Sequence, residues 1–176
     1  MPATALADIE RISESESEED TGIYVGANHV SFIVGSTVVI SRRLEGDFLN
    51  YRKAMPDTFK LHIKVGRTEF LRVVDRVALI IDEKTKNPVR MTFNENFIDC
   101  LCNTPIGKAE DVCFSEGDGE GLEIGFNGKY LMDALKAAPA DEIDLCLNGN
   151  TSPCIMTPTD GSETFKYMIL PIRLRS

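Results

Sequence analysis

The sequence predicts an α+β fold built from a repeated unit of one strand, one helix and three further strands. Two observations predict this fold class. The same order of strand-like and helix-like segments occurs twice in succession after residue 59, which indicates an internal repeat. The composition, with 43% hydrophobic and 27% charged residues, is typical of a globular protein, and no apolar run approaches the roughly 18 residues of a membrane span.

The first complete unit starts with the predicted strand Lys60–Val65 and the predicted helix Thr68–Ile81. The helix is predicted because apolar residues recur at intervals of three and four, and Thr68 is a suitable N-terminal cap. Three strands, separated by the turn-forming segments 94–96 and 103–107, complete the unit. They are predicted at Val89–Asn94, Phe97–Asn103 and Glu110–Ser115.

The second unit repeats this order with the strand Leu122–Phe126 and the helix Gly128–Ala138, which Pro139 follows. Its three strands are predicted at Glu142–Leu147, Pro153–Thr157 and Phe165–Leu170. The segment 117–121, GDGEG, is acidic and precedes a strand instead of opening a helix. We therefore interpret it as a hairpin loop and not as a phosphate-binding loop.

A third copy at the start of the chain lacks the strand that precedes the helix in the other two copies. Its helix, Pro2–Ile12, is expected to turn Leu6, Ile9 and Ile12 inward. Its strands are predicted at Gly22–Val25, Val30–Val34 and Thr37–Ser41. We therefore expect the chain to be part of something longer, with segment 44–58 linking the half-unit to the complete pair.

The acidic residues cluster in two stretches, 14–20 and 110–123, within a chain of formal net charge −9. Outside these stretches basic residues slightly outnumber acidic ones, so the composition allows a local positive surface. The five cysteines match neither a disulfide framework nor a zinc motif, which favours a reducing compartment. Cys100 and Cys102 share one face of a predicted strand and are interpreted as buried apolar residues, so we predict no metal and no cofactor.

Three segments resemble the bacterial DNA polymerase III beta subunit family, the sliding clamps: EGDFLNYRKAMP at 45–56, LEIGFNGKYLMDAL at 122–135 and YMILPIRL at 167–174. The resemblance extends over essentially the whole chain. It implies the DNA-clamp fold, in which the repeated units place helices on one face of antiparallel sheets. It also implies that residues 59–176 form the complete third domain, and that residues 1–57 form the incomplete second half of the middle domain.

The resemblance implies a non-catalytic processivity subunit of a DNA polymerase holoenzyme. Clamps of this family are rings that encircle duplex DNA without regard to sequence, and a clamp loader is among their partners. They tether the replicative polymerase and repair proteins through short peptides, and they act in the cytoplasm at the nucleoid. The family closes a two-subunit ring through its first and third domains, so the homodimer ring is not expected for this chain.

The resemblance also implies a peptide-binding cleft, one wall of which this chain supplies. The residues expected in this wall are Leu49, Lys53, Ala54, Asn127, Tyr130, Thr151, Pro153, Met168, Ile169, Leu170, Pro171, Ile172, Arg173 and Leu174. An apolar floor with a few polar groups at its rim suits an extended peptide. The family commonly has Pro where this chain has Leu49 and Arg where it has Lys53. For the terminal strand, core packing of alternate residues is the competing interpretation.

Two further surfaces follow from the resemblance. The DNA-facing helix surface is expected to carry Arg11, Arg72, Arg76, Lys129 and Lys136. The subunit contact is expected at Leu79, Ile80, Glu110 and Asp111. The competing interpretations are a solvated helix face whose cations pair with neighbouring carboxylates, and a core position for the two apolar residues.

Two other functions stay open at this point. A short product of this kind could act as a stand-alone peptide-binding module. The cysteines and the acidic loops are the support for a small metal- or thiol-dependent hydrolase.

Overall fold

A computed structural model describes residues 1–15, 20–82 and 87–174, so most of the acidic stretch 14–20 lies outside the described residues. The chain divides into two compact units, the N-terminal unit (1–50) and the C-terminal unit (51–176). Of the helices in the described ranges, none has the length and apolarity needed to span a membrane.

The N-terminal unit contains one helix and a three-stranded antiparallel sheet of strand order β1-β2-β3. Its elements are α1 (Ala3–Ser15), β1 (Gly22–Val25), β2 (His29–Val34) and β3 (Thr37–Arg42). The three predicted strands are confirmed. Ile9 of α1 is buried, as are Phe32 and Val34 of β2, because alternate strand residues face the helix. The inward position predicted for Leu6 is wrong, since this side chain is half exposed.

The C-terminal unit contains three helices and a seven-stranded sheet of order β10-β6-β4-β7-β8-β9, in which β5 also pairs with β6. Its first elements are α2 (Tyr51–Ala54), β4 (Leu61–Gly66), α3 (Arg67–Ala78), β5 (Val89–Thr104) and β6 (Gly107–Phe126). They are followed by α4 (Gly128–Ala137), β7 (Glu142–Leu147), β8 (Cys154–Pro158), β9 (Tyr167–Ile169) and β10 (Pro171–Ile172). All strand pairs are antiparallel.

Helices α3 and α4 pack against each other and against the sheet, with which they share one apolar core. Phe70 and Val74 of α3 and Leu131 and Leu135 of α4 are all fully buried there. Burying side chains of this size stabilises the fold by about 1.5–3 kcal/mol each before the entropy cost. The α+β class with helices on antiparallel sheets is confirmed.

The predicted hairpin loop at 117–121 is wrong, because these residues lie inside the 20-residue strand β6. The predicted break at 94–96 is likewise inside β5, where the register with β6 shifts on both sides of Glu95. Here the asparagines and glycines mark β-bulges, which bend two long paired strands without ending them. A Cβ on Gly119 would lie 2.2 Å from the Phe93 Cβ, so glycine is required by this close approach.

Helix α3 differs from its prediction at both ends. It begins at Arg67, its N-cap position is Gly66, and no side chain caps it, so the capping role predicted for Thr68 is wrong. It ends at Ala78, before Ile81, and Leu79 is its C-cap residue. Helix α4 matches its prediction to within one residue, and β7 matches residue for residue.

The strand that follows the helix has different surroundings in the last copy of the repeat, where it is β7, and in the N-terminal copy, where it is β1. In the C-terminal unit β7 lies between β4 and β8, and its Ile143 and Leu145 are at most 1% exposed. The corresponding strand β1 has β2 as its partner in the described chain, and its Ile23 and Val25 are 60% and 71% exposed. In the described chain, β1 therefore has an open hydrogen-bonding edge and an uncovered apolar surface.

Candidate functional site

The terminal segment, residues 167–174, pairs with two different strands of the C-terminal unit. Ile169 of β9 lies opposite Cys154 of β8, whereas Pro171 of β10 lies opposite Phe126 at the end of β6. The segment thus runs beside the residue that precedes β8, Pro153, and arrives at the junction between β6 and α4. A Cβ on Gly125 would lie 2.8 Å from the Ile172 carbonyl oxygen, so a glycine here lets the segment lie close to β6.

The side chains of the terminal segment differ sharply in exposure. Ile169 is 5% exposed and belongs to the core, as the competing interpretation requires for alternate residues. Leu170 is 63% exposed, although it is a large apolar residue. The half-buried members of the segment are Tyr167, Met168, Pro171, Ile172 and Leu174, and Arg173 is exposed. The segment therefore presents one prominent apolar side chain on a partly apolar surface.

The start of α4 adds the second part of this surface. Asn127 is the N-cap of α4, and its side-chain oxygen accepts hydrogen bonds from the backbone amides of Lys129 (3.0 Å) and Tyr130 (3.4 Å). The cap fixes the first turn of the helix, which carries Tyr130 at 63% exposure. Asn127 therefore has a structural role that its predicted place in the cleft did not include.

A concavity of about 500 Å³ lies beside these residues, between the end of α3 and the start of α4. Asn127 and Tyr130 line it together with Ala78, Ile81 and Met132, which the sequence analysis missed. Ala78 lies on α3, Met132 lies on α4 and Ile81 follows α3, and no sequence signal distinguishes these apolar residues from the core residues near them.

The remaining cleft residues are placed as follows. Lys53 and Ala54 are exposed on the short helix α2, and Thr151 is exposed in the loop before β8. Leu49 belongs to the N-terminal unit and is also exposed. The part of the predicted wall that the structure brings together is thus the terminal segment with the starts of α4 and β8.

The predicted DNA-facing cations are all exposed, but two of them have acidic partners. Arg76 Nε lies 2.6 Å from Asp111 Oδ2, and the guanidinium group beside it lowers the pKa of that carboxyl group. Arg11 lies 3.2 Å from Asp8 on the same helix. The structure gives no ion pair in the described ranges for Arg72, Lys129 or Lys136.

The predicted subunit contact is divided between surface and core. Leu79 is 76% exposed at the end of α3, whereas Ile80 packs partly against the core. Glu110 and Asp111 lie on β6, whose residues 107–114 have β5 as their partner and otherwise an open edge in the described chain. The same strand pair also carries exposed apolar residues that were not predicted from the sequence: Phe97, Val112 and Phe114.

The five cysteines are free and buried. Burial raises the pKa of Cys113 to about 12 and, together with the nearby Asp144, that of Cys146 to about 11. Thiols with such values are protonated near neutral pH, and a protonated thiol is a poor nucleophile. The cysteines therefore do not support thiol-dependent hydrolysis.

Comparison with known proteins bears on these surfaces. The family model for the DNA polymerase III beta subunit, C-terminal domain, matches residues 52–173. A beta sliding clamp of Staphylococcus aureus is 34% identical over 175 residues, which cover 98% of this chain and 46% of that protein. The chain thus spans about half the length of this relative.

Solved structures of similar proteins have the same fold. A DNA polymerase III beta subunit from Eubacterium rectale superposes with a TM-score of 0.83 at 29% identity, covering 97% of this chain and 46% of that one. A sliding clamp from Bartonella birtlesii, solved with bound griselimycin, gives a TM-score of 0.85 at 27% identity, covering 99% and 47%. By the extent of the family match and by these similarities, the chain belongs to the DNA polymerase III beta subunit family.

Proposed function

We propose that this chain is the C-terminal part of a sliding clamp, a non-catalytic subunit that encircles duplex DNA and holds partner proteins by short peptides. The observation that carries the proposal is the meeting of the terminal segment with the start of α4 in a chain of this family. The clamp's site of action would be the cytoplasm, at the nucleoid. The polymerase, repair proteins and the clamp loader are the proposed partners.

Within this proposal, residues 59–176 are the third domain and residues 1–57 are the second half of the middle domain. The uncovered side chains of Ile23 and Val25 support the second assignment. In the C-terminal unit the equivalent positions, Ile143 and Leu145, are buried in the core that the sheet shares with α3 and α4, and β4 pairs with the outer edge of β7. In an intact middle domain, the other half would pair with the open edge of β1 and extend the core over Ile23 and Val25.

The peptide site is proposed to lie along the terminal segment. Tyr130 and Leu170 are large apolar side chains that remain exposed, whereas Ile169 and Leu131 beside them in sequence are buried. Exposed apolar anchors beside polar groups suit an extended peptide, which gains affinity by burying a few side chains. Asn127 and Arg173 provide polar groups near these anchors.

The DNA-facing surface is proposed to attract duplex DNA weakly and independently of its base sequence. Arg72, Lys129 and Lys136 supply exposed positive charge on the helices, and long cationic side chains contact phosphates without reading bases. Arg76 contributes less, because its guanidinium group is already paired with Asp111. Ring closure, and not the contacts, would hold a clamp of this family on DNA.

The subunit contact is proposed to use the open edge of β6 and the apolar side chains near it. Residues 107–114 offer unpaired backbone groups, and Phe97, Val112 and Phe114 offer apolar area on the same pair of strands. The partner surface in the family is the first domain of the next subunit.

Fluorescence anisotropy with a labelled peptide that carries a clamp-binding motif tests the peptide site. Tyr130→Ala should weaken binding by about 1–3 kcal/mol, the usual cost of truncating an interface anchor. Ile106→Ala is the matched control, because it removes an even more exposed apolar side chain from the β5–β6 turn of the same unit. Equal affinities of both variants and the unmodified chain would contradict the proposed site.

A further inference from the structure

His62, Asp144 and Cys146 form a cluster of metal-ligating groups away from the surfaces described above. His62 lies on β4, directly opposite Cys146 on β7, and Asp144 precedes Cys146 by two residues on the same strand face. Thr157 of β8 pairs with Asp144 and so borders the same face. The core-facing positions of these strands are the alternate ones, Ile63 and Leu145 among them. The cluster thus occupies the sheet face opposite the helices.

The three ligand atoms are close to one another. His62 Nδ1 lies 2.7 Å from Asp144 Oδ2, and Cys146 Sγ lies 3.5 Å from the same oxygen and 3.7 Å from His62 Nδ1. A tetrahedral zinc ion with its usual bond lengths separates such donor atoms by about 3.3–3.6 Å. The two distances from Cys146 Sγ, to the carboxylate oxygen and to the imidazole nitrogen, are already close to these values. The His62–Asp144 distance needs to open by about 0.6 Å, which side-chain rotation can provide at the 55%-exposed histidine.

The cluster also leaves one polar atom without a partner. Asp144 Oδ1 is buried and has no hydrogen-bond partner in the described part of the chain, and an unpaired buried carboxylate oxygen is costly. Cys146 is buried beside the same carboxylate group. A cation held by both carboxylate oxygens would satisfy Asp144, and a coordinating thiol loses its proton to solvent.

We propose that His62, Asp144 and Cys146 bind one zinc-like divalent cation on the outer face of the β4–β7 strand pair. One imidazole, one carboxylate and one thiolate are the donor types that zinc takes in proteins, whereas magnesium and calcium favour oxygen donors alone. A neutral histidine with two anionic ligands balances a charge of +2. The prediction of no metal site missed this cluster because His62 is 82 positions from Asp144, so no local spacing motif exists.

The site has a structural consequence within the C-terminal unit. Its ligands come from two strands that are paired but distant in sequence, so the cation would link them in the folded state and not in the unfolded chain. A ligand that binds the folded chain and not the unfolded chain raises the stability of the fold by mass action. Thr157 Oγ1, 3.7 Å from Cys146 Sγ, is positioned to hydrogen-bond the thiolate.

Titration of the reduced full chain with Co²⁺, followed by displacement with Zn²⁺, tests the proposal. We expect saturation at one equivalent, a thiolate-to-cobalt charge-transfer band in the near ultraviolet, and loss of that band when Zn²⁺ is added. His62→Ala and Cys146→Ser should each weaken Zn²⁺ binding at least tenfold. The matched controls are His29→Ala and Cys102→Ala, which remove the same donor types outside the cluster and should bind as the unmodified chain does.

A Co²⁺ complex of the unmodified chain without the charge-transfer band would overturn the proposal. Unchanged Zn²⁺ affinity in His62→Ala would do so too, and this variant is informative because the side chain is mostly exposed and its removal leaves the core intact. Thermal unfolding gives an independent readout. Zn²⁺ should raise the Tm of the unmodified chain and of His29→Ala, but not that of His62→Ala, and an equal rise in all three would place the metal elsewhere.

Discussion

Alanine substitutions at Ile169 and Leu170 should separate the stability of the fold from peptide binding. Ile169 is 5% exposed and packs in the core, so its truncation should cost about 3 kcal/mol, within the range for buried isoleucine. In a protein of this size such a loss lowers the Tm by roughly 6–12 °C. Leu170 is 63% exposed, so its truncation should change stability by less than about 0.5 kcal/mol.

Peptide affinity should show the opposite order. Leu170→Ala removes a proposed anchor and should weaken the labelled peptide by about 1–3 kcal/mol, or roughly 5- to 150-fold. Ile169→Ala, measured well below its Tm, should bind within about threefold of the unmodified chain, because a buried side chain makes no direct contact. Thermal unfolding and fluorescence anisotropy on the same samples separate a loss of stability from a loss of peptide affinity. A wild-type affinity in Leu170→Ala together with a reduced one in Ile169→Ala would refute the assignment of the two faces.

Three other predictions concern assembly, DNA and pH. In sedimentation experiments, association through the open edge of β6 should weaken when the exposed Phe114 is replaced by Glu, and unchanged association would contradict the proposed subunit contact. Duplex DNA should bind with a dissociation constant on the order of 10⁻⁴ M or weaker at physiological salt, and more weakly as salt rises. Arg72→Glu with Lys136→Glu should abolish this binding, whereas Lys60→Glu, a charge change outside the helices, should weaken it less. Arg76 lowers the pKa of Asp111, so their ion pair stabilises the fold above the unfolded carboxyl pKa of about 3.9, and this contribution is lost as pH falls through the lower folded-state pKa. Asp111→Asn should therefore reduce stability at pH 7 by about 0.5 kcal/mol, since solvent screens the pair, and the difference measured by urea unfolding should shrink as the pH is lowered through this range.

Elements with an uninterrupted pattern could be predicted from the sequence almost to the residue. The alternation in Glu142–Leu147 and the apolar spacing and following proline of Gly128–Ala137 are local signals, and these signals were enough to predict both elements. The strands β5 and β6 could not be predicted as continuous. Their asparagines and glycines satisfy turn and bulge geometry equally well, and only pairing along the whole length of the two strands selects bulges.

The residues proposed for the candidate site come from the resemblance, and their geometry could not be predicted from the sequence. Tyr130 and the terminal segment were identified by resemblance, yet the burial of Ile169 beside an exposed Leu170 depends on which strands the segment joins. The ion pair of Arg76 with Asp111 links residues 35 positions apart, which no helical spacing rule covers. The same is true of the ligand cluster on β4 and β7, whose members meet only through strand register.

The open edge of β1 has a consequence for how the chain opens locally. Backbone amides on an unpaired edge exchange with solvent without unfolding, and a three-stranded sheet with few buried side chains opens at a low free energy. In the C-terminal unit the equivalent strand β7 is paired on both sides and covered by the core. Hydrogen exchange should therefore resolve two levels of protection: rapid exchange in β1 and its neighbours, and slow exchange through β4 and β7 that reports the global stability of the C-terminal unit.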